Sequence, residues 1–208
     1  MPKVNNITIS LTNSKLGGKI PSVNLPPIKT CRPGAPCARL CYARKGHWRY
    51  HNVKASRENN YQEYLKNPIG YFDSIKEFLT SGLVAYKFFR WHSSGDIPEG
   101  TYFELMCKLA REVPKVKFLA FTKRFEIINR EVDAGIKIPE NLKIVFSAWD
   151  KDFEVPNPHN FPVTYVNFCD KSKNPEIPEF SIPCIGSCEK CQACWSLHKG
   201  QSVVFHQH

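Results

Sequence analysis

Acidic residues are nearly missing from the first sixty positions of this 208-residue chain, where Glu58 stands alone against eleven lysines and arginines. Residues 61–208 carry eighteen charges of each sign, so the net charge of +10 belongs entirely to that first stretch. Long apolar runs are missing too. None approaches the roughly 18 consecutive apolar residues that a membrane helix needs, which argues against a membrane partner. Residues 1–6 (Met-Pro-Lys-Val-Asn-Asn) lack the apolar core of a secretory signal. There is no internal repeat, which sets aside a solenoid, and no low-complexity tract. The expected location is therefore the cytoplasm.

Cysteine, by contrast, is abundant: nine residues, seven of them in two tight motifs. In a reducing compartment such density reads as metal ligation or redox chemistry rather than disulfides. A hydrophobic content of 42% with 23% charged residues suits one globular domain over 1–208. Within it, residues 1–43 hold a first strand and a cysteine loop, 44–170 an α/β core, and 171–208 a second cysteine-rich segment.

Alternating apolar residues at 7–11 predict a strand. Pro26, Pro27, Pro33 and Pro36 bar a helix before Cys37, and residues 38–80 read as helical with a break near Asn67 to Gly70. Strands are then expected at 83–91, 116–122, 142–148 and 163–168, helices at 99–113 and 125–134, and a last strand at 202–205. Nearly continuous apolar strands alternating with helices imply a parallel sheet of five or six strands covered on its faces. In such folds ligands sit at the strand carboxyl ends. Here those ends carry His92 to Asp96, Thr122 to Arg124, Trp149-Asp150 and Cys169-Asp170.

The first motif places Cys31, Cys37 and Cys41 on a Pro/Gly loop leading into the expected helix, whose positive end would favour an anionic ligand. Three thiolates leave the fourth position of a cubane iron–sulfur cluster open to a substrate or cofactor. The rival is a zinc loop closed by a distant His or Cys. The second motif, Cys184, Cys188, Cys191 and Cys194, supplies four thiolates within eleven residues. It can complete a cluster alone, or lend Cys184 to the first centre. Cys107 falls on the apolar face of a helix and reads as a buried hydrophobe, while Cys169 ends a strand where a site is expected. His47 and His51 form an i, i+4 pair on the basic helix, and His206 and His208 lie at the last strand. The basic first sixty residues, with Tyr42, Trp48 and Tyr50 interleaved, read as a face for nucleic acid, as cations that lower thiol pKa values, or as a solvated surface.

The order of parts resembles the radical SAM superfamily: three cysteines with an aromatic after the last, then a strand running into Ser94-Gly95-Asp96. More closely, the chain resembles the bacteriophage gene product 88 family. That resemblance rests on 30–43, 89–96, 118–124, 188–195 and the ending Val204-Phe205-His206-Gln207-His208. The likeness implies a partial (β/α) barrel and a 4Fe–4S cluster on Cys31, Cys37 and Cys41, with a second on the C-terminal cysteines. It also implies S-adenosylmethionine (SAM) oriented by Ser94, Gly95 and Asp96, with His92, Lys123 and Arg90 toward SAM or substrate. The gaps between the first three cysteines are five and three residues where that superfamily usually has three and two, and Asp96 stands where it has Glu. The partners implied are an electron donor protein and a small-molecule or nucleic-acid substrate. Two other readings stand beside this one: an iron–sulfur electron-transfer or redox-sensing protein without SAM chemistry, and a zinc-stabilised nucleic-acid-binding protein.

Overall fold

The computed structural model describes residues 3–11, 13–81 and 85–206. Its strands are β1 (Lys3–Val4), β2 (Ile7–Ser10), β3 (Ser22–Val23), β4 (Phe88–Trp91), β5 (Lys117–Thr122), β6 (Leu142–Ser147), β7 (Val163–Asn167), β8 (Ile182–Pro183) and β9 (Ser202–His206). They form one sheet in the order β1-β2-β3-β4-β5-β6-β7-β9-β8. β1, β2 and β3 pair antiparallel, and every pairing from β3 onward is parallel. The sheet is open, with β1 and β8 at its edges. A mixed α/β architecture with a mostly parallel sheet is thus present, with nine strands among the described residues rather than five or six. β1, β3 and β8 are two residues each, too short to leave a period in the sequence.

Among the described residues five helices accompany the sheet: α1 (His51–Lys66), α2 (Pro68–Thr80), α3 (Gly100–Glu112), α4 (Phe125–Asp133) and the single turn α5 (Cys188–Cys191). Pro68 opens α2 at a position whose amide would be unpaired anyway, and Asn67 caps it, accepting from Gly70 N at 3.0 Å. The helical reading of 38–50 does not hold. That stretch forms three short 3₁₀ turns, Pro36–Ala38, Tyr42–Arg44 and Gly46–Arg49; no apolar face repeats there to reward a longer helix. The first cysteine loop therefore does not lead directly into an α-helix, and His47 and His51 share no helix. Leu83 and Val84 of the expected strand lie outside the described residues, as does His208; the strand itself is confined to Phe88–Trp91.

The two faces of the sheet are covered differently. One packs against α1 to α4, burying Tyr64, Tyr71, Phe72, Trp91, Tyr102, Phe118 and Phe146 among others. The other carries a smaller core of Leu16, Ile20, Leu119, Val145, Trp195, Leu197 and Val203, and Cys184, Cys188 and Cys194 pack against it. β5 shows the alternation: Phe118 and Ala120 enter the helical core, Leu119 and Phe121 the second. An apolar run without gaps is what a strand buried on both faces requires. α1 is polar, yet Arg57, Asn60 and Tyr64 are buried along its inner side. Asn60 holds it to the sheet, accepting from Thr8 N at 2.8 Å and donating to the Thr8 and Asn24 carbonyls at 2.9 and 3.1 Å. No described helix is long and apolar enough to cross a membrane.

Candidate metal centres

The segment before Cys31 is stitched to the turn after β4. Leu25 N donates to the Ser94 carbonyl at 2.9 Å, and the Ser94 hydroxyl returns a bond to the Leu25 carbonyl at 3.0 Å. The Thr30 hydroxyl donates to Pro26 O at 2.9 Å and accepts from Asp96 N at 3.1 Å. Between them Gly95 has φ +79°, and a Cβ there would stand 2.7 Å from Thr30 Oγ1 and 2.8 Å from Leu25 O. Only glycine permits both that dihedral and that approach. Ile28 has φ +70°, rare for a β-branched residue, and its backbone bonds to the Cys31 sulfur. Strain of this kind persists where neighbouring bonds enforce it.

Cys31, Cys37 and Cys41 are near enough for charge on Cys37 and Cys41 to be felt at Cys31. Burial pushes the Cys31 thiol up to about 12, and the Asp96 carboxylate adds to the rise. Burial also raises Cys37, against the lowering effect of the Lys123 ammonium. Left alone these thiols hold their protons, so a metal binding there must displace them. The Tyr42 hydroxyl turns inward to donate to the Ser93 carbonyl, while the residue as a whole is 59% exposed. From α1, Arg57 reaches Ala43 O at 3.0 Å, Trp48 O at 2.8 Å and Ser94 Oγ at 3.0 Å, fixing the 3₁₀ turns against the β4 turn. Sequence reasoning missed Arg57. Its signal was a cation in register with Asn60 and Tyr64 on one side of a polar helix.

Ser94, Gly95, Asp96 and Lys123 do come together beside this group. The Asp96 carboxylate accepts from Ile97 N and Lys123 N, both at 2.8 Å, tying the ends of β4 and β5; burial raises its pKa against these bonds. The Lys123 ammonium donates to Ser147 Oγ at 2.7 Å and lies 5.5 Å from the Trp149 ring centre. His92 stands apart. Its Nε2 is 2.9 Å from the Tyr102 hydroxyl on the helix-covered face, and burial, with the Arg90 charge, pushes its pKa down to about 3. It sits in the core as a neutral ring.

The second motif begins at β8, where Cys184 N donates to Val204 O at 2.9 Å. α5 follows and ends at Gln192 with φ +58°. That turn sends Trp195 into the second core, where its indole donates to the Phe89 carbonyl at 3.2 Å and its ring meets Phe88 at 5.4 Å. Cys184, Cys188, Cys191 and Cys194 form one group: charge on the other three is felt at Cys194. Cys184 is thus close to the other cysteines of its own motif. Burial raises Cys194 to about 12 and raises Cys188 as well, with the Arg90 cation opposing both. Arg90 extends over the Phe121 ring, 4.1 Å from its centre. Burial lowers its pKa, while Tyr42 and Cys188, Cys194 and Cys184 favour its charge. The cation therefore stands beside the second cysteine group and near Tyr42, the residue that follows Cys41.

The seven cysteines of the two motifs stand outside any disulfide. Cys107 is buried in the helical core and Cys169 is exposed beyond β7. Among the described residues, no three His, Cys, Asp or Glu side chains converge as ligands of one metal ion. Around a single tetrahedral zinc at about 2.3 Å, thiolates would stand about 3.8 Å apart; a cluster spaces them more widely, because its metal and sulfide atoms lie between them.

One family model, described as Gene product 88, matches residues 3–197, a span that includes both cysteine motifs. No curated protein and no solved structure matches the chain.

Proposed function

The chain belongs to the gene product 88 family, and from its own side chains we propose that it is an iron–sulfur protein with two centres, one on Cys31, Cys37 and Cys41 and one on Cys184, Cys188, Cys191 and Cys194. The observation that carries this reading is the gathering of seven thiols into two groups on one open, mostly parallel sheet, with Lys123 beside the first and Arg90 beside the second. The donor set fits: soft thiolates suit iron–sulfur clusters, and cations at Arg90 and Lys123 offset the negative charge that four-iron clusters with thiolate ligands bear. Three ligands at the first centre leave one iron open.

The finer reading is a radical-SAM-like core, in which that open iron supplies reductive cleavage of SAM when the cluster is bound. The chain's own part would be positional. Gly95 lets the β4 turn approach the cysteine loop closely, Ser94 and Asp96 hold that turn, and Lys123 presents a cation beside Cys37. A second reading, electron transfer or redox sensing without SAM, is favoured by Asp96, whose two oxygens each already accept from a backbone amide.

Anaerobic purification followed by iron and sulfide analysis tests the common claim. About eight of each per chain are expected from two four-iron clusters, and a colourless protein with bound zinc overturns it. SAM titration followed by EPR separates the two readings: a changed cluster signal supports SAM chemistry, and an unchanged one supports the electron-transfer reading.

A further inference from the structure

Cations on a folded surface are usually interspersed with acids. Residues 1–57 contain no acid at all, and the fold brings acids to Lys19 (Glu189) and Lys29 (Glu58) but not to the cations between residues 39 and 54. Arg39, Arg44, Lys45, Arg49 and Lys54 are all exposed, and among the described residues no ion pair reaches any of them. Arg39 ends the 3₁₀ turn before Cys41, Arg44, Lys45 and Arg49 lie on or between the turns after it, and Lys54 is on the first turn of α1. Two other cations nearby are already engaged: Arg57 in its carbonyl bonds, and Arg32 against the Phe125 and Phe153 rings at 5.4 and 5.2 Å.

The same turns present aromatic surface. Tyr42 and Tyr50 are 59% and 64% exposed. Tyr42 is held by its hydroxyl, so its ring faces water in a fixed pose and meets Trp48 edge-on at 6.0 Å. Trp48 is clamped in turn by Arg57 at 5.4 Å and by the His47 ring at 5.2 Å. Anchored aromatics among unpaired cations serve two contacts together, stacking on bases and attraction to phosphates. A duplex hides its base faces, and other polyanions have none.

We infer that the surface formed by residues 39–54 is a docking site for single-stranded nucleic acid. It stands on surface charge and ring exposure alone and does not require metal at the neighbouring cysteines. The shared ligand chemistry is an unpaired strand, and separate DNA and RNA arms identify which one.

The test is fluorescence anisotropy with labelled single-stranded DNA and RNA oligonucleotides, the matching DNA duplex, and heparin as competitor. Single strands should bind at least about ten-fold more tightly than the duplex, and affinity should fall steeply between about 50 and 200 mM salt. The triple variant Arg44→Gln, Lys45→Gln, Arg49→Gln should reduce the log–log salt slope by roughly two to three. Tyr50→Ala should weaken single strands about ten-fold, a typical loss for one stacked base, and leave heparin binding unchanged. Preferential binding of either the DNA or the RNA strand supports the inference. Equal affinity for duplex or heparin, or indifference to Tyr50→Ala, overturns it.

Discussion

The Arg90 guanidinium lies 4.1 Å from the centre of the Phe121 ring, held by a neighbouring strand of the same sheet. The aromatic face keeps the cation beside Cys188 and Cys194 without cancelling its charge. Replacing it by Gln should make the proposed C-terminal cluster harder to reduce, because the added electron loses a nearby positive charge. A fall in midpoint potential on the order of 50–100 mV is expected, the size of a 1–2 kcal/mol interaction. Anaerobic redox titration measures it, and Arg90→Lys should recover part of the shift.

Gly95→Ala should be poorly tolerated. The new methyl would meet the Leu25 carbonyl at 2.8 Å with φ still at +79°. A loss of about 2–4 kcal/mol follows from strain plus displacement of the Leu25–Thr30 contacts, equivalent to roughly 5–15 °C in Tm for a chain this long. Thermal unfolding followed by circular dichroism checks this. Iron at the first centre should fall with it, since the loop carrying Cys31 rests on that turn.

His92 makes stability depend on acid. Above its ordinary pKa of about 6.5 the ring is neutral folded and unfolded alike. Between about 6.5 and 3 the unfolded chain takes up a proton that the buried ring refuses. Stability should therefore be complete above pH 6.5 and decline as pH falls toward about 3, by at most about 5 kcal/mol. Urea unfolding at pH 7.0 and pH 4.5 reads the effect. His92→Asn, which tolerates the left-handed φ of +51°, should flatten the dependence.

Cys107→Ala should retain the full metal content, since that thiol lies in the helical core, at a cost of about 1 kcal/mol for the lost packing. Cys37→Ala should remove about half of the iron. Metal analysis of the two variants side by side separates ligands from packing, and equal loss in both would refute the assignment.

The elements that the sequence announced are those whose burial is two-sided or strongly one-sided. β5 reads as an unbroken apolar run from Phe118 to Phe121, and β6 as one interrupted by Lys143, because helices cover one face and the cysteine segment the other. α3 shows its buried stripe of Phe103, Met106, Cys107 and Ala110 at helical spacing. What stayed hidden depends on distant partners. β3 is recognisable only because Val23 aligns with Trp91, and the 3₁₀ turns after Cys41 are held by Arg57 from the next helix. The cysteines themselves were legible from spacing. The proximity of Arg90 to the second group was not, because it follows from the pairing of β8 with β9, which brings Cys184 near that cation.

The indole of Trp195 anchors the second cysteine segment on β4, and that segment does for one side of the sheet what helices do for the other. A polypeptide cut before residue 184 would keep α1 to α4 but leave Leu119, Phe121 and Val145 facing water. Its defect would be insolubility first and lost chemistry second, so truncations here should collect in the pellet.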